Sequence, residues 1–252
     1  MAWVLAFIVL LSAGAVFVMT RPPGPVVTDT SPRTQPPTSP AVPPASASTN
    51  ASAQGGQRAK DQQVADLLAK GNRALAGGQA DAAAAAYREA QKLAPNDEDV
   101  HYNLGLALSR LGQTNEAAAE YETALKLFPD YAEAHNNLGN LLLRAGKTDE
   151  AIAHFRAAIR ALPDYAAGHN SLGNALRIAG QNPEALEHFA KAVELNTNYW
   201  EARFNLANMY RTAGRLDDAN REYREVLRQK PDFEPARQAL ANPSALPPVP
   251  LR

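Results

Sequence analysis

A 34-residue period runs through residues 64–233 and limits what this chain can fold into. Cut into five blocks, 64–97, 98–131, 132–165, 166–199 and 200–233, the span stacks Gly71, Gly105, Gly139, Gly173 and Ala207 at the eighth place. The twentieth place is Ala83, Ala117, Ala151, Ala185 and Ala219, and the twenty-fourth is Tyr87, Tyr121, Phe155, Phe189 and Tyr223. Ala90, Ala124, Ala158, Ala192 and Val226 hold the twenty-seventh place, and Pro95, Pro129, Pro163 and Pro231 the thirty-second, where Thr197 is the exception. A period of this length is the signature of stacked helical pairs.

Within a block, apolar residues recur at helical spacing twice, as in Leu104, Ala107, Leu108 and Leu111 and then Ala117, Tyr121, Ala124 and Leu125. The break between them carries Gly78, Gly112, Gly146, Gly180 and Gly214, which suit the left-handed residue that ends a helix. Thr114-Asn115, Thr148-Asp149 and Asn182-Pro183 are expected to cap the second helices. The prolines end those helices, and Asn96, Asp130, Asp164, Asn198 and Asp232 are expected to cap the next first helix. Small residues at the eighth and twentieth places allow a close helix crossing, Gly facing Ala, with the aromatic filling the wedge between neighbours. No single pair buries enough to stand alone, so stability is expected from the interfaces between blocks.

The run His135-Asn136-Asn137-Leu138-Gly139-Asn140, followed by Gly146, Ala151, Phe155, Ala158 and Pro163, resembles the tetratricopeptide repeat. The resemblance covers about two thirds of the chain and is weakest in the first block, where Lys70 stands in the usual leucine place. It implies an all-α, right-handed superhelical solenoid of five stacked helix-turn-helix repeats whose first helices line a concave face. A short capping helix is expected at 234–242, where Leu240 and Ala241 repeat the seventh and eighth places, and a proline-rich tail at 243–252. That tail fits the spacing of a proline-rich ligand, but a frayed end is the expected reading.

Residues 1–20 contain no charged side chain and are long enough for a transmembrane anchor. The alternative is a cleaved signal, given the small triplet Ala13-Gly14-Ala15, with the repeats then secreted or periplasmic; no positive segment precedes the apolar run. For a single-pass anchor, Arg21 and Arg33 on the C-terminal side lean the repeats toward the cytoplasm. Residues 21–60, rich in Pro, Ser, Thr and Ala, read as an extended disordered linker. The chain has no cysteine, which excludes a lipidated one and leaves the redox compartment open. Residues 64–242 carry 24 acidic and 20 basic side chains, without the basic excess of a nucleic-acid binder.

No catalytic grouping stands outside the repeat pattern, so neither an enzyme nor a cofactor is expected. His101, His135 and His169 hold the fourth place, and His154 and His188 the twenty-third. No metal site is expected, since equivalent places in stacked pairs lie about 8–10 Å apart, against the roughly 2 Å of a metal–nitrogen bond. More informative are Asn103, Asn137, Ser171 and Asn205 at the sixth place and Asn72, Asn140, Asn174 and Asn208 at the ninth. Asparagine is a mediocre helix former, and its amide matches the N–H and C=O of an extended peptide. The family resemblance implies that these places line the concave groove and contact peptide backbone; the alternative is that the amides tie neighbouring helices together. Arg110, Arg144, Arg177 and Arg211 join them as candidates for holding acidic groups. The dicarboxylate clamp known in the family is not expected, because Leu68, Tyr102, Asn136, Asn170 and Phe204 occupy the fifth place. The expected function is a membrane-tethered scaffold that binds an extended segment of a protein partner, with self-assembly through the repeat ends as the alternative.

Overall fold

Two helices per block are what the paired apolar stripes require, and the computed structural model, which describes residues 47–242, has them in all five. They are α1 (Ala47–Ala76) and α2 (Ala80–Leu93), α3 (Glu98–Arg110) and α4 (Thr114–Leu127), α5 (Ala132–Arg144) and α6 (Thr148–Ala161), α7 (Ala166–Ile178) and α8 (Asn182–Leu195), and α9 (Trp200–Thr212) and α10 (Leu216–Gln229). The short α11 (Glu234–Ala241) follows. From α2 to α11 consecutive helices pack on one another, α1 meets α2 through Gly71 and Tyr87, and α5 also packs on α7, the next first helix, which is solenoid packing. The array lies in the second of two units, residues 60–252.

The five turn glycines have φ between 74° and 78°. Around Gly112, its N–H reaches the Ser109 carbonyl and the Gln113 N–H the Leu108 carbonyl, at 3.1 and 2.9 Å, the paired bonds of a Schellman ending. The same two bonds form at the other four turns. This ending leaves no room for the expected side-chain caps. The second helices begin two residues after each glycine, so Thr114, Thr148 and Asn182 are already helical and the capping places fall on Gln113, Lys147 and Gln181, none of which caps through its side chain. The first-helix caps are corrected too. They fall one residue later than expected, on Asp97, Tyr131, Tyr165, Tyr199 and Phe233, and of these only Asp97 caps, accepting from the Val100 N–H at 3.0 Å. An aromatic that packs has displaced a polar residue that bonds.

The eighth-place glycines owe their size to the aromatics. A Cβ on Gly71, Gly105, Gly139 or Gly173 would stand 2.3, 2.7, 2.7 or 2.9 Å from the ring of Tyr87, Tyr121, Phe155 or Phe189. Where Gly was expected to face Ala, the glycine faces the aromatic ring, and the twentieth-place alanines are buried. A continuous apolar cluster links blocks three to five through Ile152, Phe155, Leu172, Leu176, Phe189, Leu206 and Met209.

Helix α1 begins at Ala47, inside the segment 21–60 expected to be a disordered linker. The reason is local: the prolines of that segment all precede residue 45, and Ala, Gln, Lys and Arg follow. The anchor at 1–20, the proline-rich stretch up to residue 46 and the tail at 243–252 lie outside the described residues. Among the described residues no helix is long and apolar enough to cross a membrane.

Candidate peptide-binding face

Where the amides go divides the sequence-predicted residues. At the sixth place, Asn137 donates to the Tyr102 hydroxyl at 3.3 Å, and Asn205 to the Asn170 oxygen at 3.0 Å, each across to the fifth place of the preceding block. Asn103 turns onto its own helix and donates to the Asp99 carbonyl at 2.8 Å. The amides of Asn137 and Asn205 thus tie helices together. At the ninth place, Asn72 and Asn208 accept from the hydroxyls of Tyr87 and Tyr223 at 2.5 and 2.6 Å. Blocks three and four have Phe155 and Phe189 there, which offer no hydroxyl, and the side chains of Asn140 and Asn174 make no hydrogen bond among the described residues. Both are half-buried.

The arginines divide in the same way. Arg110 donates to the Leu75 carbonyl at 2.9 Å, closing the end of the previous first helix, and Arg211 is buried over the Tyr223 ring with its Nη2 on Asn208. Arg144 is exposed and Arg177 half-buried, and neither guanidinium has an ion-pair or hydrogen-bond partner among the described residues. Burial pushes the Tyr87 and Tyr223 hydroxyls up to about 12, against the opposing pull of Arg110 and Arg211.

A second set of residues, not anticipated from the sequence, lines the other end of the first helices. Tyr131, Tyr165, Tyr199 and Phe233 recur at the thirty-fourth place, and Tyr131, Tyr199 and Phe233 meet the fifth place of the same block. Tyr131 stacks on Tyr102 at 4.7 Å between ring centres, Tyr199 accepts from Asn170 at 3.3 Å, and Phe233 meets Phe204 edge-on at 4.9 Å. The signal was present as an aromatic two residues after Pro129, Pro163, Thr197 and Pro231. Asp99 accepts from the Tyr131 hydroxyl at 2.6 Å. Burial pushes the hydroxyls of Tyr102, Tyr131, Tyr165 and Tyr199 upward, with carboxylates adding to it. They are therefore neutral donors at neutral pH.

The histidines are placed differently from expectation. The fourth and twenty-third places of one block meet: His135 and His154 approach at 2.9 Å between Nδ1 atoms, and His169 and His188 at 3.0 Å. Glu120 and Glu222 stand at the twenty-third place opposite His101 and Arg203, both at 2.6 Å. In blocks two to five the fourth-place side chain also donates to the thirty-second-place carbonyl of the block before: His101 to Pro95, His135 to Pro129, His169 to Pro163 and Arg203 to Thr197. A carbonyl only accepts, so Nε2 carries the proton, and in a neutral His135 the bare Nδ1 takes a hydrogen bond from His154. Among the described residues no group of three or more side chains could hold a metal ion.

This pairing has a pH consequence. Burial holds His135, His154 and His188 below 6.5, and the facing imidazole lowers His154 and His188 further; Asp130 raises and Arg160 lowers the first, Glu122 and Glu150 raise the second, and Glu184 and Glu187 raise while Arg156 lowers the third. The unfolded chain therefore binds more protons than the folded one between the depressed values and about 6.5, and stability rises with pH across that window. The contribution is complete above about 6.5 and lost as pH falls through the folded values. Thermal melts of the chain should drop in midpoint across this interval, and the drop should shrink in a His154→Gln, His188→Gln variant. An equal drop in that variant assigns the acid response elsewhere.

Residues 71–112, 102–166 and 176–242 each match a model of the tetratricopeptide repeat. The chain belongs to the tetratricopeptide-repeat family. Among solved structures it is similar to TTC0263, a thermophilic tetratricopeptide-repeat protein of Thermus thermophilus, at 27% identity and a TM-score of 0.59 over 71% of this chain and 98% of that one. It is similar also to YrrB, described as a repeat protein with an unusual peptide-binding site, at 29% identity and a TM-score of 0.56 over 64% of this chain and 82% of that one. PilF of Pseudomonas aeruginosa shares the fold, with 21% identity and a TM-score of 0.64 over 73% of this chain and 90% of that one. No curated protein gives a match.

Proposed function

We propose that the tetratricopeptide repeats bind an extended segment of a partner protein along the first helices, and that the chain serves as an assembly scaffold. The observation that carries this reading is the pair Asn140 and Asn174. Where the block supplies a tyrosine, the ninth-place amide is consumed inside the fold; in the two central blocks the amide remains without a partner, beside Arg144 and Arg177. Each amide offers a donor pair and an acceptor to a peptide backbone, and the guanidinium groups offer forks for carboxylates. In a right-handed superhelix these places face the concave side. The likeness to YrrB adds support, since that relative is described by its peptide-binding site.

The reading extends to the flanks. Residues 1–20 are proposed as a membrane anchor and the following proline-rich stretch as its tether, which holds the repeats off the bilayer; a cleaved signal is the competing assignment. Resistance of the full chain to carbonate extraction supports the anchor, whereas a mature chain beginning near Val16 supports the signal. Stacking between copies asks for an apolar surface at the array's end. The exposed residues of α11 there include Glu234, Arg237 and Gln238, so peptide capture is the better-supported reading.

A peptide library displayed on phage and selected against the full chain supplies the probe. Changing Asn140, Asn174, Arg144 and Arg177 together to alanine should weaken selected peptides by more than tenfold, since each lost hydrogen bond removes about 0.5–1.5 kcal/mol. The melting temperature should hold, because these side chains tie nothing. Changing Asn137 and Asn205 instead should lower it. A quadruple variant that binds at full affinity removes these four residues from the site.

A further inference from the structure

At the other end of the first helices, α5 carries two acceptors that meet no donor among the described residues. Glu133 and Asn136 lie three residues apart on α5, on one helix face. The Glu133 carboxylate is half-buried, has no ion-pair or hydrogen-bond partner among the described residues, and acts electrostatically on Tyr102, Tyr131 and Tyr165.

Asn136 supplies the independent observation. It is only 6% exposed, and its Oδ1 is buried without a hydrogen-bond partner. The repeat explains why. In the next block the equivalent Asn170 accepts from Asn205, a sixth-place asparagine. The sixth-place residue that should serve Asn136 is Ser171, whose side chain is too short to do the same. A buried amide oxygen left this way is costly unless something donates to it.

We infer that this face of α5 receives a cationic side chain, an arginine in the first instance, of the bound peptide. Its guanidinium has donors for both the Glu133 carboxylate and the Asn136 oxygen, and its plane stacks on a tyrosine face. The inference rests on the peptide-binding reading and gives it polarity: an acidic, aromatic edge at the starts of the first helices, and an amide and arginine edge at Asn140, Arg144, Asn174 and Arg177. A segment crossing the groove presents arginine to the first edge and carboxylates to the second.

The test uses peptides selected from the displayed library against the full chain, each resynthesised with citrulline, the neutral isostere, in place of arginine. Arginine is expected at a fixed position, and citrulline there should weaken binding about tenfold, since charge-assisted bonds are about twice as strong as neutral ones. In Glu133→Gln the two peptides should bind alike. Ser171→Asn offers a variant of opposite sign for folding: it copies the Asn205–Asn170 bond, so melting should rise while arginine discrimination falls. Peptides without enriched arginine or lysine, or equal affinity for the arginine and citrulline forms in the unsubstituted chain, overturn the inference and leave the groove reading standing. A library that yields no binder overturns both.

Discussion

Phe155→Ala is expected to lower the unfolding free energy by about 3–5 kcal/mol, the range for removing a fully buried phenylalanine. Phe155 is 0% exposed and lies in the cluster that runs from Ile152 to Met209 across three blocks. Its loss acts on more than one block because a solenoid's stability is a sum of block and interface contributions, and this ring sits where both are made. Denaturant titration followed by far-ultraviolet circular dichroism measures it. A loss below about 1 kcal/mol would mean that the site collapses around the missing ring and that the wedge is not where stability resides.

Gly139→Ala has a smaller expected cost, about 1–3 kcal/mol, the range for overpacking a full core. The added Cβ would stand 2.7 Å from the Phe155 ring, which must move. The decisive measurement is the double variant. With Phe155→Ala in the background the ring is gone, and Gly139→Ala should cost little or nothing, so the two changes are coupled rather than additive. Additive losses would show that the glycine is required for some other reason than the ring. Block five already carries Ala207 against Tyr223, which places the expected loss toward the low end of the range.

Helix number, turn positions and the buried set were legible because each was written five times, so local ambiguity averaged out. Single-residue boundaries were not, and the caps show why. Thr114 and Asp130 have the right chemistry for capping, but the Schellman ending and the packing aromatic at Tyr131 decide where the helices begin, and both are properties of the chain's path. The candidate site was legible as a face and not as residues. Asparagine at the sixth and ninth places looks uniform in sequence. Whether an amide is consumed depends on the residue fifteen positions on, tyrosine for Asn72 and Asn208 and phenylalanine for Asn140 and Asn174. That dependence was readable in principle, since the fifteen-residue offset is constant. The meeting of His135 with His154 was hidden by comparing equivalent places between blocks rather than different places within one.

The fourth-place donors joined to the carbonyl six residues earlier bear on how the array is assembled in time. His101 to Pro95, His135 to Pro129, Arg203 to Thr197 and Arg237 to Pro231 all close loops of six residues, and the longest side-chain ties between blocks, such as Asn137 to Tyr102, span 35. Contact order is therefore set by the block and not by the chain, and the entropy of closing each joint does not grow with the number of repeats. A block leaving the ribosome finds its partners in the block just before it. Growth of the structure can thus keep pace with synthesis from the N-terminal side, and adding or removing a whole block changes the array's length without altering the search that each joint requires.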